Sequence, residues 1–314
     1  MQGADYLEDI SQMDLIKTIE LSNWRDFTKL KKKLCTGDYI FRGHTNSFDN
    51  NHGETDEWKI NSSYKRYLED RQVSFDHFIK IYLNERLFKM HFNIYKHSQT
   101  KSLINSTLIE KLYFFQHYGL PTCFIDFTKD PFFALFFAIS GIKVPIIKTV
   151  KNKKPATFPD NQFFTVIQLH LKTLIEKFGI KPIVDPNIEI NYSQYSLNFF
   201  GFKNIKVGFD LNPCEKIKTF KNKNLLKQKG CFLLFDNSQL KSSYDLEKVM
   251  NSVITLNKIM LTEPLITKYR IPYNSIFRDT DISLFTFLDN HRATGRFLFN
   301  DIQGIKYDIM HYLT

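Results

Sequence analysis

The sequence predicts an α+β fold, and three features carry that expectation. Residues 112–140 compress a helix end, a tight turn, a short strand and a second, almost wholly apolar helix into one span. Apolar runs of strand length recur at 39–44, 163–171 and 225–235, whereas other stretches repeat their apolar positions at helical spacing. No internal repeat and no linker interrupts the 314 residues, so a single domain over 1–314 is expected.

In chain order, Ile10 to Phe27 has near-helical apolar spacing, with a break at Ser22 and Asn23 before a helix carrying Trp24, Phe27 and Leu30. The basic run Lys29 to Lys33 reads as that helix's solvated face. Gly37 and Asp38 mark a turn, and Tyr39-Ile40-Phe41-Arg42-Gly43-His44 a strand that ends in an arginine and a glycine. His44 to Glu57, rich in Asn, Asp and Gly, reads as a loop over the strand end. Trp58-Lys59-Ile60 reads as a short paired segment, followed by a helix capped by Ser62 or Ser63. Further helices are expected over Phe75 to Phe92 and from Ser106 or Thr107 to His117, the last stopped by Gly119 and barred from continuing by Pro121.

Thr122 to Thr128 then forms a buried strand, and Pro131 opens a helix with almost no polar face. Asp126 interrupts that strand, and a buried acid is costly unless it is paired, hydrogen-bonded or protonated. Two readings stand. Asp126 braces the helix start beside a capping Asp130, or it belongs to a site built with Gln116, His117 and Tyr118.

After Ser140 a basic loop runs from Lys148 to Lys154, Phe163 to Leu171 forms a strand, and Leu171 to Phe178 a short helix closed by Gly179. Lys181 to Asn224 is irregular. Leu225 to Phe235 reads as a strand with Gly230 at mid-length, the mark of a bulge or a close approach. Helices are expected over Asp245 to Leu256 and Ser275 to His291, a strand over Lys258 to Ile266, and a packed loop over Phe297 to Ile305.

Net charge is +10, which favours an anionic partner, although a Lys-, Asn-, Ile- and Phe-rich composition discounts the charge in part. Cys35, Cys123, Cys214 and Cys231 are scattered with no metal spacing, so no metal site and a reduced, cytoplasmic setting are expected. The first ten residues lack a secretory pattern, and no apolar run reaches the ~18 residues of a membrane span.

Four separated segments together resemble the FRG domain family, named for its Phe/Tyr-Arg-Gly motif. They are Phe41-Arg42-Gly43; Trp58-x-Ile60-x-Ser62-Ser63-x-x-Arg66; Gln116-His117-Tyr118-Gly119-Leu120-Pro121-Thr122 running to Asp126-x-Thr128 and Ala134 to Ala138; and Gln228-x-Gly230-x-Phe232. Leu298 to Gly304 is similar to the family's closing loop. Departures are Cys123 where an arginine is usual and Phe127 where a tryptophan is usual, and residues 143–224 read as a family-divergent insertion.

The motif order also resembles ADP-ribosyltransferases of the arginine class, which implies a split β-sheet core with flanking helices and NAD as co-substrate. Under that resemblance Arg42, Asp126 and Gln228 are the catalytic candidates. Phe41, Arg42, Gly43, His44, Trp58, His117, Tyr118 and Thr128 are the NAD-binding ones. Gly230 stands where the catalytic glutamate would be. Cleaving the nicotinamide–ribose bond builds positive charge on the ribose, so negative charge must be placed near it, and an arginine fork suits the pyrophosphate. Asp126 is the available anion. Lysine-rich segments at Lys148 to Lys154 and Lys203 to Lys229, interleaved with Phe200, Phe202, Phe209 and Phe220, suit a nucleic-acid backbone and its bases, so the acceptor expected is nucleic acid, RNA before DNA. The resemblance implies a toxin or anti-phage effector, for which an antitoxin is a candidate partner. Two alternatives remain: a protein-modifying transferase, and a non-catalytic module that binds nucleotide or nucleic acid.

Overall fold

The computed structural model describes residues 14–49, 55–57, 59–67, 108–117, 120–140, 142, 162–183, 205–213, 223–236, 245–276 and 284–299. The strands are β1 (Ile16–Glu20), β2 (Tyr39–Asp49), β3 (Thr55–Glu57), β4 (Phe124–Thr128), β5 (Gln162–His170), β6 (Lys181–Pro182), β7 (Lys206–Asp210), β8 (Gly230–Asp236) and β9 (Ile266–Pro272). They form one mixed sheet in the order β1-β9-β5-β2-β4-β8-β7-β6, with β3 hairpinned onto β2. The two outermost pairs, β1–β9 and β6–β7, are parallel, and the interior pairs are antiparallel. The fold is therefore α+β, as the sequence predicts.

The middle of the sheet parts. β2 pairs with β5 over almost its whole length, and β4 pairs with β8 from Phe124 to Thr128, yet β2 meets β4 only at Phe41 and Thr128. A single pair leaves the strands free to diverge on either side of it, and the space between them opens as a cleft.

Helices cover both faces. One core cluster packs Ile40, Phe127, Ile167 and Leu233 against α6 (Leu171–Phe178) and α8 (Leu246–Asn257). The other packs Phe41, Phe164 and Val166 under α5 (Pro131–Ser140), with α1 (Trp24–Lys29) and α9 (Leu284–Asn290) beside it. Eight of the ten α5 residues are buried, as its apolar composition requires. Asp130 accepts the Phe132 amide at 3.0 Å, so it caps α5, and the Thr128 hydroxyl accepts the Asp130 amide at 3.1 Å. Gly179 closes α6 at φ 62°, Asn23 caps α1 by accepting the amides of Arg25 and Asp26, and Ser62 accepts the Lys65 amide at the start of α3 (Ser63–Tyr67).

Gly43 fixes how closely α5 lies on the sheet. A Cβ at that position would fall under 3.0 Å from the Ala134 carbonyl and the Ala138 amide nitrogen, and 3.0 Å from the Ala138 Cα. All three atoms are backbone. Glycine on the strand and alanines on the helix let the two backbones touch.

Several expectations are corrected. Residues 16–20 are a strand and not helix, because an edge pairing with the buried β9 overrides the near-helical spacing. The 44–57 stretch is the outer arm of β2 turning back through β3, not a loop. Residues 225–235 split into α7 (Lys223–Lys227), a turn with Lys229 at φ 48°, and β8, so Gly230 opens the strand instead of interrupting it. The strand expected over 258–266 begins at Ile266, since Lys258 in the left-handed conformation ends α8 first. Gly295–Phe299 is a helix, α10. Within the divergent stretch 143–224, β5 lies between β2 and β9, so that part belongs to the structural core. The expected helix over 75–92 lies outside the described residues. Among the described residues no helix is long and apolar enough to cross a membrane.

Candidate functional site

The cleft between the two halves of the sheet has a volume of ≈ 270 Å³. Arg42 reaches it from β2, Asp126 from β4, and Gln228 from the turn between α7 and β8. Their positions span 186 residues of sequence on three elements that meet only where the sheet parts. Phe137, Leu225 and Phe299 supply an apolar wall from α5, α7 and α10.

The arginine is held from two sides. Its Nε donates to His44 Nε2 at 2.9 Å and its Nη1 donates to the Asp126 carbonyl oxygen at 2.7 Å. His44 accepts at Nε2 and so carries its ring proton on Nδ1. A guanidinium braced in this way presents a fixed plane and loses little freedom on meeting a ligand. The second bond also crosses the gap in the sheet, beside the one backbone pairing of β2 with β4.

Asp126 is exposed, against the expectation of a buried acid, because the strands diverge at its position and its side chain faces the opening. A hydrogen-bond relay orients it. The Thr122 hydroxyl accepts the Phe124 amide at 3.2 Å, so its single proton goes to Gln116 Oε1. With Oε1 accepting, Gln116 Nε2 donates to Asp126 Oδ2 at 2.8 Å. The carboxylate is thereby held as an acceptor and aimed into the cleft.

Gln228 and Thr128 close the other side. The Thr128 hydroxyl donates to the Gln228 carbonyl oxygen at 2.7 Å, tying the end of β4 to the turn before β8. Gln228 Nε2 approaches the Leu298 carbonyl at 3.5 Å, at the outer edge of hydrogen-bond range, which leaves the amide weakly held.

The remaining candidates separate. Gly43 and Thr128 line the cleft with the three polar residues. Phe41 borders it, but the ring is fully buried in the core under α5 and offers no face for stacking. His44 is buried and acts through Arg42. His117 ends α4 (Leu108–His117) exposed and outside the cleft lining. Trp58 and Tyr118 lie outside the described residues. Leu225, Phe137 and Phe299 line the cleft without having been singled out in the sequence, since an apolar residue on a helix carries the same pattern whether it faces core or ligand.

Gly230 is the sharpest departure from the arginine-class pattern. A Cβ there would lie under 3.0 Å from Leu225 Cδ1, so the α7 side chain occupies the volume that a longer residue at 230 would need. The cleft's carboxylate comes from β4 and not from β8. No group of three or more His, Cys, Asp or Glu residues that could hold a metal occurs among the described residues.

Residues 37–144 match the family model of the FRG domain. That span contains β2, β4 and α5, with Arg42 and Asp126; Gln228, Leu225 and Phe299 lie beyond it. No curated protein and no solved structure matches the chain.

Proposed function

We propose, from the premise that residues 37–144 make this chain a member of the FRG domain family, that it is an NAD-dependent mono-ADP-ribosyltransferase whose acceptor is nucleic acid, RNA before DNA. The observation that carries the reading is the meeting of Arg42, Asp126 and Gln228 in one cleft at the parting of the sheet. The donor set fits the chemistry. A braced guanidinium suits the pyrophosphate, a carboxylate oriented by Gln116 suits a ribose gaining positive charge, and a weakly held amide is available to a ribose hydroxyl. Phe137, Leu225 and Phe299 suit a flat ring. At ≈ 270 Å³ the cleft is just under the ~300–1,000 Å³ usual for small-molecule sites, which suits the nicotinamide–ribose end and leaves the adenosine outside.

In this reading Arg42 positions the dinucleotide and Asp126 stabilises the ribose as the nicotinamide departs with the bonding electrons. An acceptor oxygen or nitrogen then attacks C1 of the ribose from the open side and loses its proton to solvent. Gln116 and Thr122 position Asp126, and His44 positions Arg42. A role as toxin or anti-phage effector, with an antitoxin partner, is part of the same proposal.

Incubation with NAD labelled in the adenylate moiety and total RNA, DNA or lysate tests it. Label transfer to RNA that is lost in Arg42→Ala and Asp126→Ala is the expected result, and label found only on protein moves the acceptor. Gly230 favours a second reading, a nucleotide-binding module without catalysis, because the strand position of the usual glutamate is closed by Leu225. NAD binding without transfer or hydrolysis in any fraction establishes that second reading and sinks the first.

A further inference from the structure

Beside the cleft, two cations have no counter-charge among the described residues. Lys227 Nζ and the Arg292 guanidinium both lie over the Phe297 ring, 5.5 and 5.9 Å from its centroid. Among the described residues neither has an ion-pair partner. The ring attracts each cation, and a phosphate at its edge would add an ionic partner that neither cation has among the described residues.

Arg292 is also held at φ 56°, just beyond the end of α9. Glycine takes that left-handed position without a Cβ penalty. Lys229 and Lys258 take the same conformation at turns, so the left-handed backbone at 292 is a turn geometry that glycine would also satisfy. The nearest acid on the same segment is Asp289, exposed one turn earlier, whose carbonyl accepts the Arg292 amide. Across the turn, Lys229 is paired with Asp130 at 2.7 Å and so is not part of the unpaired set.

This cation pair adjoins the cleft. Phe297 lies two residues before Phe299 of the cleft wall, and Lys227 immediately precedes Gln228. The nicotinamide–ribose end takes up the ≈ 270 Å³ of the cleft, so a nucleic-acid acceptor meets it at the open side, and a base presents its reacting atom there only when unstacked and unpaired. The acceptor's phosphates then run across the rim.

We propose that Lys227 and Arg292 form a phosphate-docking site at the mouth of the cleft that holds the backbone of a single-stranded nucleic acid. The assignment of this strand as acceptor rests on the transferase reading, whereas the docking itself does not. Fluorescence anisotropy of the full chain with a short fluorescein-labelled single-stranded RNA at several salt concentrations tests it. Lys227→Ala and Arg292→Gly are each expected to weaken binding several-fold and to flatten the log–log salt slope by about 0.7 per lost phosphate contact. NAD affinity, read by calorimetry, stays unchanged. Arg292→Gly relieves the left-handed backbone, so its melting temperature should equal or exceed that of the wild type, and lost binding cannot be ascribed to unfolding.

Unaltered RNA affinity in both variants overturns the proposal. So does a loss of NAD affinity, which would give the site to the dinucleotide, and so does equal competition by polyglutamate, which would mark an acidic protein surface. RNA binding that needs both cations, without label transfer, leaves the docking site standing and sinks the transferase reading. Label transfer with unchanged RNA affinity does the reverse.

Discussion

Replacing Gly43 by alanine adds one methyl group at the tightest point of the fold. The new Cβ falls under 3.0 Å from the Ala134 carbonyl oxygen and the Ala138 nitrogen, where ordinary contact begins at 3.4 Å. The atoms it meets are backbone, so no rotamer change relieves the clash, and α5 must lift from β2 or β2 must bend. α5 is buried over eight of its ten residues and its neighbours are close-packed, so lifting it opens voids on its far side. Overpacking of a core costs about 1–3 kcal/mol, and a backbone clash belongs at the top of that range. With an unfolding entropy of ~2 cal/mol/K per residue, about 3 kcal/mol lowers the melting temperature of a chain of this length by about 5 °C. Thermal unfolding followed by circular dichroism measures this directly. Adding Ala134→Gly supplies the control: it removes a methyl but no backbone atom, so the double variant should remain destabilised. If Gly43→Ala melts with the wild type, or if Ala134→Gly restores it, the close backbone approach is not what this glycine provides.

At Gly230 the closest obstacle is a side-chain tip, the Leu225 carbonyl oxygen lying farther off at 3.2 Å. Gly230→Ala should cost less than Gly43→Ala, and combining it with Leu225→Ala should recover part of the loss in a denaturant double-mutant cycle. Lys268 is buried and its ammonium meets Glu247 at 2.9 Å, so Glu247→Ala should destabilise by about 3 kcal/mol in urea while replacing both partners, Lys268→Met with Glu247→Leu, stays near neutral. Of Cys35, Cys123 and Cys231, Cys35 is exposed and the other two are buried, so in the native protein a maleimide should label Cys35 and spare Cys123 and Cys231. Burial and then the nearby Asp130 push the Cys35 thiol up, which lowers its thiolate fraction at neutral pH; labelling, read by mass spectrometry, should therefore start slower than for a free thiol and rise as pH rises.

Local signals in the sequence carried much of this fold. The stop after α4, the β4 strand, the cap at Asp130 and the buried α5 follow from glycine, proline and an uninterrupted apolar run, each of which acts within a few residues. The same holds for Gly179 and Asn23. What the sequence concealed depends on partners far along the chain. β1 is a strand because β9 lies beside it 250 positions later at Glu20–Arg270, a contact that leaves no trace in the spacing of Ile16 and Ile19. The exposure of Asp126 was hidden for the same reason, since an acid in an apolar strand reads as buried until β2 is seen to diverge from β4. Arg42 and Asp126 were legible through the motifs around them. Leu225 was not, because its role exists only against the glycine at 230.

These features share one cause. Where a sheet continues unbroken, neighbouring strands satisfy each other's backbone groups and leave no room between them. Here β2 and β4 keep one pairing, and the polar groups freed on either side must find other partners or face solvent. Arg42 answers part of that demand by donating to the Asp126 carbonyl, and His44 holds the arginine in place to do so. Thr128, at the one pairing, ties β4 to the turn before β8 by donating to the Gln228 carbonyl. Arg42 thus both bridges the gap and lines the cleft, so one side chain serves binding and structure. For that reason Arg42→Lys separates the two roles better than Arg42→Ala: an ammonium keeps the charge but cannot bond His44 and the Asp126 carbonyl in one plane.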